Sequence, residues 1–303
     1  MLIFLVALTT GSFVYNAATG SRGRPPAGAR YVSADGIRTR YRSWGDRGTP
    51  MVLIHGAFES ADTWDRVAPL LARRHRVYAL DITGWGYSQR QGPYTAAHDA
   101  AQLLAFLSAL RLDRPLLVGH STGAAVVGEA TLDAPARIGG LVFLDGDGLP
   151  GGSPPPVLLD LLTNPFRTSL LRLLVRSDAT IRLIYSTQCG PRCPRLSGAG
   201  LDTWRRPLQV PGAESALWSM LRSGIVGVPA ARLEHLRRVA LPKAVVFGAS
   251  DGVFARSSPS TTAHMIGAPP PTIIALAHHL SLISDPGPIT AVVESVAGQA
   301  GAR

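Results

Sequence analysis

Short apolar runs alternate with longer stretches of helical periodicity from residue 31 to the C-terminus. Residues 31–34 and 38–44 alternate like an opening hairpin, and runs rich in Val, Ile and Leu follow at residues 51–54, 77–80, 116–118, 141–144, 244–247 and 272–276. Apolar residues at helical spacing lie between them, at residues 61–72, 95–110, 122–132 and 289–296. This alternation predicts an α/β fold with a mostly parallel eight-stranded sheet flanked by helices.

The alternation is interrupted between residues 148 and 236. Pro- and Leu-rich stretches at residues 154–162 and 170–174 give way there to a helical segment at residues 216–221. We therefore predict a helical cap at residues 148–236, inserted between two parts of a core domain at residues 31–147 and 237–303. In open α/β sheets the carboxyl edge is where ligands bind, and a cap there would cover them. Its Trp204 and Trp218 either fill the interior of the cap or line a substrate pocket.

An apolar segment at residues 1–20 precedes a Gly-, Pro- and Arg-rich linker at residues 21–30. Its composition fits a signal peptide or a short membrane anchor. The nearby charges (Arg22, Arg24 and Arg30) all follow the apolar run, which by the positive-inside rule would keep the rest of the chain cytoplasmic. A signal peptide and a membrane anchor both remain open. We favour a membrane-associated or exported protein over a cytoplasmic one, and any membrane association would be through this segment.

The composition is that of a folded domain with a basic surface. Hydrophobic residues make up 46% of the chain and charged residues 17%, and the formal net charge is +10. The positive charge is spread along the chain as single or paired arginines, and Lys243 is the only lysine. Because nucleic-acid binding needs a concentrated basic face, we predict no nucleic-acid partner.

Two cysteines, Cys189 and Cys193, lie four residues apart within the predicted cap. They are too few for a disulfide-built scaffold or for a four-ligand zinc site. A local disulfide and two unpaired thiols both remain open, because spacing alone does not fix thiol geometry. We predict no metal and no organic cofactor.

The pattern Gly-x-Ser-x-Gly occurs twice, around Ser121 and around Ser250. A nucleophilic serine at such a turn needs a buried strand before it and a helix after it. Ser121 has both, whereas Ser250 follows a strand but precedes a loop-like stretch at residues 254–259. Ser121 is therefore the predicted nucleophile.

Catalysis by serine needs an imidazole to take the hydroxyl proton and a carboxylate to hold the imidazole. In the chain order nucleophile, acid, histidine, Asp251 follows the strand at residues 244–247 and His279 follows the strand at residues 272–276. Asp145, at the end of an earlier predicted strand, remains an alternative acid. His278, next to His279, remains an alternative base.

A tetrahedral intermediate also needs donors for its oxyanion. The amide of Thr122, directly after the nucleophile, is one candidate. The loop after the strand at residues 51–54, which begins His55-Gly56-Ala57, is expected to supply the other. We expect His55 and His120 to stabilise loops by hydrogen bonding rather than to act as bases.

Three segments, residues 55–58, 81–88 and 119–123, together resemble the α/β-hydrolase superfamily over about residues 31–147 and 237–300. The resemblance implies that Ala57 takes the oxyanion role and that the acid follows the penultimate strand, as Asp251 does. It also favours His279 as the base, because the segment that begins there resembles the family stretch ending in Asp285 and Pro286.

The predicted activity is hydrolysis of an ester or related acyl compound through an acyl-enzyme formed on Ser121. Epoxide hydrolases and haloalkane dehalogenases of the superfamily carry an aspartate at this turn, so the serine argues against both. Two alternatives remain: a cofactor-free haloperoxidase or perhydrolase activity, and a non-catalytic receptor for a small molecule on the same fold. The predicted partner is a small acyl substrate.

Overall fold

The computed structural model describes residues 1–20, 23–152, 155, 157, 163–224 and 226–301. Two features named in the sequence analysis lie outside these residues: Arg22 in the linker, and most of the Pro- and Leu-rich stretch at residues 154–162.

Eight strands form one sheet in the order β1-β2-β4-β3-β5-β6-β7-β8. β1 and β2 form an antiparallel hairpin, β2 pairs antiparallel with β4, and the pairs from β4 to β8 are parallel. The predicted fold class is therefore confirmed. The strands are β1 (Arg30–Ala34), β2 (Ile37–Trp44), β3 (Pro50–Ile54), β4 (Arg76–Leu80), β5 (Leu116–His120), β6 (Gly140–Leu144), β7 (Lys243–Gly248) and β8 (Thr272–Ile274).

Helices cover both faces of the sheet and fill the segment between β6 and β7. The α-helices are α1 (Leu2–Ala18), α2 (Ala68–Leu71), α3 (Ala96–Ala109), α4 (Gly123–Asp133), α5 (Phe166–Arg176), α6 (Asp178–Cys189), α7 (Gly198–Arg205), α8 (Ala213–Ser223), α9 (Ala230–Leu233), α10 (Ser258–Ile266), α11 (Ser281–Ser284) and α12 (Pro286–Gly301). Short 3₁₀ helices occur at Ala61–Arg66, Pro135–Arg137, Arg206–Gln209 and Glu234–Arg238.

The central strands are buried on both faces, which explains their nearly continuous apolar sequence. In β3, Val52 and Ile54 pack toward α3 and α4, while Met51 and Leu53 pack toward α2 and α12. Successive side chains of a strand point to opposite faces, so each central strand contributes to two cores. This double burial fixes the sheet and hence the positions of the loops at its carboxyl edge.

One predicted helix is divided in the structure. Residues 61–72 form the 3₁₀ helix Ala61–Arg66 followed by the short helix α2. Ser60 begins the first segment with a capping box, and Pro69 at the start of α2 has no amide hydrogen to continue the preceding turn.

The described part of the segment between β6 and β7 contains α5 to α9 and two of the short 3₁₀ helices. Helix α1 packs against α5 through its C-terminal half, where Asn16 Nδ2 donates to Pro165 O at 2.9 Å. The first half of α1 exposes its apolar side chains. Within the described residues, no helix is both long enough and apolar enough to cross a membrane.

Candidate active site

Three loops at the carboxyl edge of the sheet bring Ser121, His279 and Asp251 into one hydrogen-bonded chain. Ser121 follows β5, Asp251 follows β7 and His279 follows β8. His279 Nε2 lies 3.0 Å from Ser121 Oγ, and His279 Nδ1 lies 2.9 Å from Asp251 Oδ2. A carboxylate at Nδ1 favours the tautomer with the proton on that nitrogen, which leaves Nε2 free to accept the serine proton.

The turn that carries Ser121 has a strained backbone. Ser121 has φ of 52°, a left-handed conformation that a residue with a Cβ adopts at a cost. A Cβ at Gly119 would lie 2.3 Å from Gly123 O, and one at Gly123 would lie 2.5 Å from Ile54 O. The two glycines therefore allow β3, β5 and α4 to approach closely, and this approach projects the serine hydroxyl from the edge of the sheet.

The amides of Ala57 and Thr122 lie beside the nucleophile on two different loops. Both residues line the same cavity as Ser121. Neither amide is a donor in the hydrogen bonds found between described residues outside the regular elements. They are therefore free to donate to an oxyanion formed at Ser121.

Each of the other histidines near the edge has a different set of partners. His55 Nδ1 lies 2.7 Å from Gly56 O, and its Nε2 accepts a hydrogen bond from the amide of Ile82 at 3.1 Å. His278 Nδ1 lies 3.1 Å from Thr187 O, on helix α6. These contacts hold loops together and direct neither ring at Ser121.

Asp145 is buried and bound to residues outside the chain of Ser121, His279 and Asp251. Its Oδ1 accepts from the amide of Gly248 at 2.8 Å, and its Oδ2 accepts from the amide and the hydroxyl of Ser281. Burial raises the pKa of Asp145 to about 6. Its carboxylate thus connects β6 to β7 and to the loop after His279.

Ser250, in the second Gly-x-Ser-x-Gly pattern, is exposed and lies in the turn after β7. Its amide donates to Ala277 O at 2.8 Å. This turn brings the loops after β7 and β8 together, and so helps to place Asp251 next to His279.

Sequence reasoning did not identify Glu59, a buried carboxylate at the centre of the site. Glu59 Oε1 lies 3.0 Å from His120 Nδ1, and His120 Nε2 lies 2.9 Å from His279 O. An acidic residue in the loop that begins with His55 was the available signal. Its partner is 61 residues away in the chain, so the pairing is visible only in the fold.

A cavity of about 720 Å³ opens above Ser121, between the carboxyl edge of the sheet and the helical insertion. Its lining is mainly apolar and includes Ile181, Ile184 and Trp204. Trp218 is instead buried within the insertion, with Arg167 over its ring at 4.7 Å. The described lining includes two carboxylates, Glu59 and Asp147, and no arginine or lysine.

Comparison with known proteins agrees with this architecture. Residues 49–176 match a family model described as "alpha/beta hydrolase fold". Over 126 residues the chain is 36% identical to a 2-hydroxy-6-oxo-6-(2'-aminophenyl)hexa-2,4-dienoic acid hydrolase of Metapseudomonas resinovorans, with 40% of this chain and 43% of that protein aligned. It is 30% identical to epoxide hydrolase A of Mycobacterium tuberculosis over 203 residues, with 64% of this chain and 59% of the relative aligned. The chain thus spans about half of the length of these relatives.

Similarity to solved structures extends over the whole chain. The crystal structure of a membrane phospholipase A, described as a bacterial virulence factor, superposes with a TM-score of 0.72 and 19% identity, covering 100% of this chain and 98% of that one. With the eight-stranded sheet, these matches show that the chain has the α/β-hydrolase fold.

Proposed function

We propose that the protein is a serine hydrolase that cleaves a neutral, largely apolar ester through an acyl-enzyme on Ser121. The observation that carries the proposal is the hydrogen-bonded chain from Ser121 Oγ through His279 to Asp251. The amides of Ala57 and Thr122 support it, because both residues line the cavity with Ser121 and neither amide is a donor in the hydrogen bonds found between described residues outside the regular elements.

Each residue has one role in the proposed reaction. Ser121 Oγ attacks the ester carbonyl while His279 Nε2 takes its proton, and the carboxylate of Asp251 stabilises the imidazolium. His279 then returns the proton to the leaving alcohol as the C–O bond breaks, which leaves Ser121 acylated. Water, deprotonated by His279, attacks the acyl carbonyl. As the bond from the acyl group to Ser121 Oγ breaks, His279 returns the proton to Oγ, which frees the serine and releases the acid.

The cavity lining indicates the substrate class. A substrate carboxylate buried there would meet the carboxylate of Asp147 and no arginine or lysine from the described lining, because the negative charge of Glu59 is already paired with His120. Burying an unpaired anion beside like charges is costly, so the cavity favours acyl groups without a carboxylate. Its volume of about 720 Å³ accommodates an acyl chain of medium length or an aromatic acyl group.

Replacing the nucleophile tests the activity. We expect Ser121→Ala to lower kcat on an activated ester by about 10⁴-fold or more, to near the background rate. A fluorophosphonate probe should label the wild type at Ser121 and leave the variant unlabelled. Unchanged turnover by a folded Ser121→Ala protein would reject the assignment, and a folded wild type that resists labelling would favour a non-catalytic receptor.

The substrate class has its own test. We expect kcat/KM for p-nitrophenyl hexanoate to exceed that for the mono-p-nitrophenyl ester of adipic acid by about 100-fold, because the second substrate carries a terminal carboxylate into the cavity. Equal or reversed values, with normal labelling of Ser121, would reject the neutral-substrate proposal and leave the hydrolase proposal intact.

The exposed apolar surface of α1 supports a second proposal, about location. Helix α1 has no charged side chain; α5, which packs against it, and α6, which packs against α5, expose further apolar residues. Exposed apolar residues at the start of the chain and on these three helices are Met1, Leu2, Ile3, Phe4, Leu5, Val6, Leu8, Phe13, Val14, Leu170, Leu173, Leu174, Leu183 and Ile184. We call this set the α1 surface. Exposed apolar side chains in this number are typical of an interaction site.

We propose that an anionic lipid surface covers the α1 surface, with α1 lying in the interface. Charge supports this occupant, because α5 and α6 contribute four arginines and one acidic residue, Asp178, and of these arginines Arg172 pairs with Glu214 while Arg167 lies over the ring of Trp218. Ile184 belongs both to the α1 surface and to the cavity lining, so the cavity would open beside the lipid.

Vesicle flotation tests this location. We expect the wild-type chain to float with vesicles of phosphatidylglycerol and phosphatidylcholine. The partition coefficient of the double variant Ile3→Asp/Phe4→Asp into these vesicles should be lower by about tenfold or more. The matched control is Leu276→Asn, which changes an exposed leucine outside the α1 surface. A wild type that stays with the aqueous phase would overturn the proposal. So would a soluble dimer that the double variant dissociates, because it would identify a second copy as the occupant.

A further inference from the structure

A buried histidine connects the two loops on either side of the nucleophile. His120 is the last residue of β5 and is fully buried. Its Nδ1 faces Glu59 Oε1 at 3.0 Å, and its Nε2 faces the backbone oxygen of His279 at 2.9 Å. Glu59 lies in the loop that carries Ala57, so one ring joins the oxyanion loop to the loop of the base.

Both ring nitrogens of His120 face acceptors, so only the imidazolium form can donate to both. Burial opposes this charge, but Glu59, Asp145 and the backbone oxygen of His279 together outweigh burial and raise the pKa of His120 to about 9. Burial likewise opposes the charge of Glu59, but His120, with smaller contributions from His55 and His279, leaves the pKa of Glu59 below its ordinary value. The two groups therefore form a buried ion pair at neutral pH.

Close packing surrounds the pair. A Cβ at Gly56 would lie 2.8 Å from Glu59 Oε1, 2.7 Å from Ser121 Cβ and 3.1 Å from His120 Nδ1. A shift of either partner would therefore push on the nucleophile or on the backbone that precedes Ala57.

We propose that His120 and Glu59 are positioning residues for the hydrolysis: their ion pair holds the Ala57 loop and the backbone of His279 in register with Ser121. This inference rests on the proposed function. Glu59 lies in the cavity lining, where an acidic side chain would ordinarily be assigned to substrate binding. The proposal gives it a different role, because its carboxylate pairs with His120.

The proposal predicts an alkaline limit to activity. The charged or titratable groups that face His120 are Glu59 at 3.0 Å, Asp145 at 3.9 Å from Nε2, and the ring of His279, whose centroid lies 5.0 Å away. Loss of the His120 proton places a ring lone pair opposite an acceptor oxygen, so one of the two loops loses its support. Activity should then fall with an apparent pKa of about 9.

The test compares His120→Gln, Glu59→Gln and the double variant with a control, His98→Gln, which changes a histidine on α3 away from the site. We expect His120→Gln to lower kcat about 100-fold with little change in KM, as small displacements of catalytic groups do. Glutamine does not titrate, so the fall in activity at high pH, which we call the alkaline limb of the pH profile, should also disappear. In Glu59→Gln the limb should move from about 9 toward the ordinary histidine value of 6.5, because the charge that raises the pKa is gone.

The pH dependence of fluorophosphonate labelling provides the same readout without turnover. The positioning role would be overturned if the wild type is labelled and all three variants are labelled at the same rate, with the same alkaline limb. The proposed function would then still stand. A wild type that is folded but not labelled would instead reject the proposed function. If His120→Gln fails to fold, the shift of the limb in Glu59→Gln decides the question.

Discussion

Individual buried ionisable residues at this sheet edge differ in whether they have a partner. His120 and Glu59 neutralise each other, and Asp145 is held by amides and by the hydroxyl of Ser281. Asp99, in the first turn of α3, is buried without this support: its Oδ1 has no hydrogen-bond partner among the described residues. Burial alone raises the pKa of Asp99 well above its ordinary value.

We therefore expect Asp99→Asn to stabilise the protein at alkaline pH. A raised folded-state pKa contributes stability below the unfolded pKa, and this contribution is lost as pH rises through the folded pKa. Asparagine does not titrate, so the variant should gain about 1 kcal/mol in the free energy of unfolding at pH 8, or about 2 °C in Tm. Thermal melts at pH 5 and pH 8 measure the difference.

The matched control is Asp133→Asn, at a more exposed carboxylate paired with Arg232. Its effect should stay within about 0.5 kcal/mol at both pH values. A gain for Asp99→Asn that is equal at pH 5 and pH 8 would contradict the ionisation argument.

Among the elements, the junction of β5 and α4 has the strictest geometry. The residues from Gly123 to Thr131 in α4 are all buried, and their small size lets the helix lie close to β3 and β5. The loop of His279 is fixed from the other side, because the amide of Leu280 donates to Gln188 O at 2.9 Å at the end of α6. A disulfide joins Cys189, the last residue of α6, to Cys193. The sequence had left a local disulfide and two unpaired thiols as alternatives.

Gly123→Ala tests the junction. The added Cβ would lie 2.5 Å from Ile54 O and 2.8 Å from His55 O, both backbone atoms, so β3 or α4 must move. We expect a loss of about 1–3 kcal/mol in the free energy of unfolding and at least a tenfold loss of kcat, because Ser121 and Ala57 move relative to each other. Chemical denaturation and ester kinetics measure the two effects.

Gly298→Ala is the control for the same substitution in a helix. Apart from its chain neighbours and the backbone of its own helix, α12, no atom of the described residues lies within 4 Å of a Cβ built there, so alanine should be neutral or stabilise by up to about 1 kcal/mol. Equal effects of the two substitutions would show that close approach at Gly123 is unimportant.

At the scale of the whole molecule, the buried ionic network makes stability depend on pH from both sides. The folded pKa of His120 is raised to about 9, so its contribution is complete below about 6.5 and is lost as pH rises through 9. The folded pKa of Glu59 is lowered, so its contribution is present above its ordinary value of 4.5 and is lost as pH falls below that value.

We expect the free energy of unfolding, measured by denaturant titration from pH 4 to pH 10, to decline on the alkaline side as pH approaches 9. In His120→Gln this alkaline decline should be smaller, because the titrating group is absent. A variant that reproduces the wild-type slope between pH 7 and pH 10 would show that other groups cause the decline.

The sequence determined the eight strands and the class of the fold, because burial on two faces makes the central strands continuously apolar. It also singled out Ser121 over Ser250, since the strand before it and the helix after it are local features. Chain order and family resemblance predicted Asp251 as the acid and His279 as the base. Asp145 and His278 remained as the alternative acid and base.

Only the tertiary structure decided which of these side chains meet. It alone paired Glu59 with His120 and enclosed the cavity beside the segment between β6 and β7. The physical reason is that periodicity and turn chemistry act over a few residues. Pairing of charges and closure of a cavity instead depend on the packing of loops that lie up to 158 residues apart, as Ser121 and His279 do.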